Sequence, residues 1–130
     1  MNEEFLRVVV VRRGKVRPTE FRLREAENGL SLFRKVDEPT STEIIDAVRA
    51  AGKQGDLAVV EISVKVIVDL GLRIVATKGG TLNEAVNAIH IEPRPSLWRT
   101  IWLKLRGRPI HMWLNEFVTP RLAESARLID

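Results

Sequence analysis

The side chains best suited to chemistry in this chain are two histidines, three tryptophans and an excess of lysine and arginine; cysteine is absent. No thiolate is therefore available as a nucleophile or zinc ligand, and no disulfide can staple a secreted scaffold. His90 and His111 are the only side chains whose unperturbed pKa lies near neutrality, which makes either one a candidate general base. A metal site would have to draw on carboxylates such as Glu84, Glu92 or Glu116, and nothing in the spacing of these residues requires one. The signatures of serine hydrolases, zinc proteases, phosphate loops and dinucleotide folds are missing, and no cofactor is implied. Thr77-Lys78-Gly79-Gly80-Thr81 sets a lysine and two glycines ahead of an expected helix, where free N–H groups can hold a phosphate. Its spacing is not that of a phosphate loop, and an ordinary strand-to-helix turn is the plain alternative.

Two basic clusters carry more information. Arg7, Arg12, Arg13, Lys15, Arg17, Arg22 and Arg24 fall in one N-terminal stretch interrupted by a single acid, Glu20. A ribbon of this kind can track phosphates through bidentate arginine contacts, and the same arginines would also keep an exposed edge from pairing between molecules. In the second cluster Arg94, Arg99, Lys104, Arg106 and Arg108 alternate with Trp98, Trp102 and Trp113, and no acid occurs between Pro93 and Asn115. That composition fits stacking on exposed bases, a headgroup-level amphipathic segment or a protein interface anchored by tryptophan and arginine; the simplest alternative makes all three tryptophans core.

The elements that must position these residues read as α+β, with a small mixed or mostly antiparallel sheet, three to five short helices and a helical C-terminal part. Four consecutive valines mark a strand over 5–13, Gly14-Lys15 a turn, and 16–24 an imperfect second strand with Pro18 at an edge. After the Asn28-Gly29 turn, 30–36 completes a hairpin or meander. Thr40 and Glu43 form a capping box for a helix to Ala51, closed by Gly52. Residues 57–70 satisfy both the strand period and the helix period; β-branching favours a strand over 57–62, and Ser63 and Gly71 bracket a short helix. Residues 72–77 give the next strand, whose pairing with the preceding one is uncertain because the connection is too tight for a parallel return. Thr81 and Glu84 suggest a second capping box opening a helix to Ile89, and Pro93 and Pro95 close that segment. Residues 96–106 favour an amphipathic helix, with a strand paired to 110–115 as the alternative. Thr119 as cap and Pro120 as first helical residue start a last helix to Ile129.

The chain has 130 residues and a formal charge of +4, which fits one domain with a basic surface. The acidic start at Glu3 and Glu4 is unlike a secretory leader, and the most apolar stretch, 57–76, carries Glu61, Lys65, Asp69 and Arg73, so a cytoplasmic protein without a membrane span is expected. The functional expectation is a non-catalytic nucleic-acid-associated module. It would use Arg7, Arg12, Arg13, Lys15 and Arg17 of the hairpin with Trp98, Arg99, Trp102, Lys104, Arg106 and Arg108 of the tryptophan segment. A protein-interaction or antitoxin-like accessory module with an acidic partner is the first alternative. A small phosphodiester-cleaving or nucleotide-transfer enzyme using His90 or His111 is the second.

Overall fold

A run of β-branched residues with no polar interruption suits a strand covered on both faces. A computed structural model describes residues 3–25 and 27–129 of the chain, and in it Glu4–Arg12 forms that strand, β1, at the centre of the sheet. The remaining strands are β2 (Lys15–Val16), β3 (Leu32–Arg34), β4 (Leu57–Ser63), β5 (Leu72–Ala76), β6 (His90–Pro95) and β7 (Arg127–Leu128). Their order is β5-β6-β3-β1-β4-β7, with β2 on β1, and every pairing is antiparallel. The helices are α1 (Ser41–Ala50), α2 (Val64–Asp69), α3 (Glu84–Ala88), α4 (Leu97–Leu105), α5 (Ile110–Phe117) and α6 (Thr119–Ser125), so the fold is α+β with a helical C-terminal part.

Alternation along β1 sends Leu6 and Val8 to one face and Phe5 and Val9 to the other. On the first face they meet Ile44 and Ala47 of α1 and Val86 of α3. On the second they meet Ile67 of α2, Leu114 of α5 and Leu122 of α6. Helices therefore cover both faces, and the side chain of Arg7 projects into the second layer between Phe5 and Val9.

Several local expectations hold in detail. The Thr40–Glu43 capping box opens α1, and Gly52 follows it at φ 118°. The two periods over 57–70 resolve in succession into β4 and then α2, with Ser63 capping the helix and Gly71 ending it at φ 76°. β4 and β5 do not pair; they lie on opposite sides of β1, and β5 joins β6. Residues 97–105 are helical, as preferred, but Ile110–Phe117 is also a helix and not a partner strand.

Other expectations are corrected. The first turn centres on Arg13 and Gly14, both at positive φ (53° and 73°), the backbone of a two-residue hairpin. The second strand stops at Val16, because Pro18 fixes its φ and lacks an N–H and the chain enters a 3-10 turn over Pro18–Phe21 that buries Phe21. No meander forms: β2 pairs with Val11 and Arg12, β3 pairs with Phe5 and Leu6, and the two do not pair with each other. Thr81 is not the cap of α3. Asn83 takes that place, accepting from the N–H groups of Ala85 and Val86, while Thr81 Oγ1 bonds Asn87 Oδ1. Pro93 and Pro95 lie within β6 instead of ending a segment. Thr77 N–H donates to His90 O, so alternation directs the backbone groups of His90, Glu92 and Arg94 toward β5. The prolines thus fall on the side facing β3, which pairs only as far as Ile91, and they remove no ladder bond. Gly29 fills that gap: a Cβ there would stand 2.7 Å from Pro93 O. The last helix begins at Thr119 with Val118 in the cap position and ends at Ser125, after which Arg127 and Leu128 pair with β4.

Candidate interaction surfaces

An α-helix normally turns its apolar stripe inward. Helix α4 does the reverse. Ser96 caps it by accepting from Arg99 N–H, and Leu103 is its one fully buried side chain. Leu97 is 63% exposed, Trp98 80%, Ile101 50%, Trp102 37% and Leu105 82%. At 3.6 residues per turn these five span an arc of about 140°, and Leu103 points the opposite way. Met112 and Phe117 of α5 are also exposed apolar residues of the same helical region.

Arginines organise the indoles. The Arg99 guanidinium carbon lies 5.1 Å from the Trp102 ring centre and 5.2 Å from that of Trp113, which ties α4 to α5. Arg106 covers Trp102 at 5.2 Å, and Trp113 leans on Phe117 at 6.0 Å. Trp113 is half-buried against the core, so the all-core reading holds partly for Trp113 and fails for Trp98 and Trp102. Arg99, Lys104, Arg106 and Arg108 are all exposed. The turn that separates α4 from α5 contains Gly107 at φ 65° and Pro109.

The hairpin residues divide. Arg12, Arg13, Lys15 and Arg17 are exposed at the tip, and none of them takes part in a salt bridge among the described residues. Arg7 is an internal strut: Nε and Nη2 donate to Glu20 O at 3.0 and 2.6 Å, Nη1 donates to Ser31 O at 2.8 Å, and the group lies 5.8 Å from the Phe21 ring centre. Burial lowers its pKa to about 10, so it remains a cation at neutral pH. A groove of about 620 Å³ lies beside α5, lined by Arg22, Glu25, His111 and Glu116 among others. The groove lining contains none of Arg12, Arg13, Lys15 and Arg17 and none of the tryptophans.

His90 is buried, with Ser31 Oγ 2.5 Å from Nε2, Thr77 Oγ1 2.7 Å from Nδ1 and the Phe33 ring edge-on at 5.4 Å. Burial pushes its pKa down, and the ring bridges the two hydroxyls. His111 is half-buried in the α5 groove. No group of three or more potential metal ligands occurs among the described residues. In the 77–81 turn Asn87 occupies two of the backbone donors: Gly79 N–H donates to Asn87 O and Thr81 N–H to Asn87 Oδ1.

One cluster escaped sequence reading. Glu61 on β4 is buried and accepts from Lys35 Nζ at 2.5 Å and Arg127 Nη2 at 2.7 Å, and Glu4 lies 3.8 Å from Lys35. These residues are remote in sequence, and only the strand order β3-β1-β4-β7 assembles them. The sole signal in the sequence was an acid at an inward position of an apolar strand. No helix among the described residues is long and apolar enough to cross a membrane. Comparison with known protein families, with curated proteins and with solved structures finds no match.

Proposed function

We propose that this chain is a protein-interaction module that holds an acidic partner protein on the exposed face of α4. One observation carries the reading: Leu97, Trp98, Ile101, Trp102 and Leu105 form a continuous apolar face turned away from the sheet. Contiguous apolar patches of several hundred Å² are the usual mark of an interaction site. Aliphatic side chains make up three of the five, and they offer nothing to a base stack, whereas specific nucleic-acid interfaces are polar. Tryptophan and arginine around such a patch are the residues that dominate protein–protein binding energy. Charge then selects the partner. Arg99, Lys104, Arg106 and Arg108 border the face with no acid between Pro93 and Asn115. A second copy would set like charges against one another, and an acidic rim on a different protein complements them.

The test is site-specific photocrosslinking in the native host, with a benzophenone side chain at position 98 and a control at exposed Asp69 of α2. The expected result is a covalent adduct to one acidic protein from position 98 only, whose purified form binds the full chain and loses binding to Trp98→Ala/Leu105→Ser. Adducts only to nucleic acid, to lipid or to a second copy, or no adduct, overturn the reading.

A second reading belongs to the hairpin tip, where Arg12, Arg13, Lys15 and Arg17 are exposed without carboxylate partners among the described residues. Such a tip suits a polyanion. Affinity for a single-stranded oligonucleotide would fall with salt at a log–log slope of about 0.7 per phosphate contacted, and Arg12→Ala/Arg13→Ala would flatten that slope. Salt-independent or undetectable binding at low salt removes this reading.

A further inference from the structure

β1 is incompletely paired along the edge that carries β2 and β3. β3 reaches only Phe5 and Leu6, and β2 only Val11 and Arg12, so the groups between them need other partners. Side chains supply these. Lys53 Nζ reaches through the gap to Val8 O at 3.3 Å, and Glu20 Oε1 accepts from Val10 N–H at 2.7 Å. Over the gap opens a cavity of about 280 Å³ whose lining includes Arg7, Lys53, Glu20, Arg24 and Glu27.

The charges there do not balance. Lys53 is about one-third exposed, its ammonium keeps donors beyond the one given to Val8 O, and its nearest carboxylate oxygen, on Glu20, lies 3.9 Å away, beyond hydrogen-bond reach. Burial first, and then the positive charge of Arg7, push the Lys53 pKa down, against the pull of Glu20. Arg22 and Arg24 are exposed at the mouth and Glu27 is the acid beside them, so the lining carries four cations against two carboxylates. Arg7 and Lys53 are partly buried and held by backbone carbonyls, Arg22 and Arg24 are exposed, and the net positive charge of the lining favours an anion.

We propose that this cavity binds a small phosphorylated polyol, its phosphate on Lys53 and Arg24 and its hydroxyls on the carboxylates of Glu20 and Glu27. The carboxylates set the ligand class, because they repel phosphate oxygens but accept from sugar hydroxyls. The lining holds no aromatic side chain on which a nucleobase could stack. This site is separate from the α4 face and does not depend on the partner assigned to it.

Isothermal titration of the full chain with glucose 6-phosphate, inorganic phosphate and glucose tests the assignment. Glucose 6-phosphate is expected to bind most tightly, phosphate more weakly and glucose not at all. Arg24→Ala, at the exposed mouth, should weaken glucose 6-phosphate binding by about tenfold without moving the melting temperature, as expected for one charge-assisted contact. Lys53→Met should abolish it, with circular dichroism reporting whether loss of the Val8 contact disturbs the fold. Absence of binding, binding of phosphate with no preference for the phosphorylated sugar, or affinity that survives Arg24→Ala overturns the proposal.

Discussion

Arg7 differs from the other arginines of the N-terminal stretch because it stands on a strand covered on both faces. A charge in that position persists only if its donors are taken, and Glu20 O and Ser31 O take them. Arg7→Ala leaves those carbonyls without their partner and should cost about 2 to 4 kcal/mol, whereas Arg12→Ala at the exposed tip should stay within about 0.5 kcal/mol; urea midpoints compare the two directly. Sequence composition could not separate them, since both read as basic residues in a strand and only the strand's two-sided burial distinguishes them. Glu61 is the acidic counterpart. Hydrogen bonding with Glu4 first, then with Lys35 and Arg127, holds its carboxyl down to about 2 from an ordinary 4.5, and the same contact raises Glu4. Between those values the unfolded chain binds more protons at Glu61 than the fold does, so this contribution is present above 4.5 and is lost as pH falls toward about 2. The raised Glu4 has the opposite sign and offsets part of it. Glu61→Gln should therefore lower stability at neutral pH and show a smaller further loss than the wild type between about pH 5 and about pH 3, read from denaturation midpoints at each pH.

At the scale of elements, what was legible in the sequence was whatever depends on neighbours a few residues away. The Thr40–Glu43 box, the Ser63 cap and the glycines after α1, α2 and α4 all satisfy backbone groups within one turn, and their residue types announce them. The second cap was misplaced by two residues because Thr81 has a stronger partner in Asn87, a contact the local pattern does not reveal. Thr40→Ala and Asn83→Ala should each cost about 1 kcal/mol in thermal or urea unfolding, and no loss in either mutant would remove that cap from the account. Strand β6 was hidden for a different reason. Proline is excluded from a strand only where its N–H would face a partner, and which side of β6 lacks one depends on how far β3 extends. The helix over 96–106 was legible from its period, but the period does not say which way the stripe faces. Its outward orientation follows from Leu103 alone being buried, and that one fact moves Trp98 and Trp102 from core to surface.

For the whole molecule, α1 and α3 cover one face of the antiparallel sheet and α2, α5 and α6 the other, and α4 contributes only Leu103 to the buried interior. The rest of α4 carries an exposed apolar face beside a basic rim, while the hairpin tip presents Arg12, Arg13, Lys15 and Arg17 to solvent. Under the proposed interaction, the α4 face, and not the hairpin tip, is where an acidic partner would dock. The decisive measurement is the affinity of the purified partner for three forms of the chain: wild type, Trp98→Ala/Leu105→Ser, and Arg12→Ala/Arg13→Ala/Lys15→Ala. Loss of the two apolar anchors should weaken binding by about a hundredfold or more, and removal of three tip charges should change it by about threefold or less, mainly in the association rate. A hundredfold loss in the hairpin variant with the α4 variant unchanged would place the partner on the hairpin tip instead.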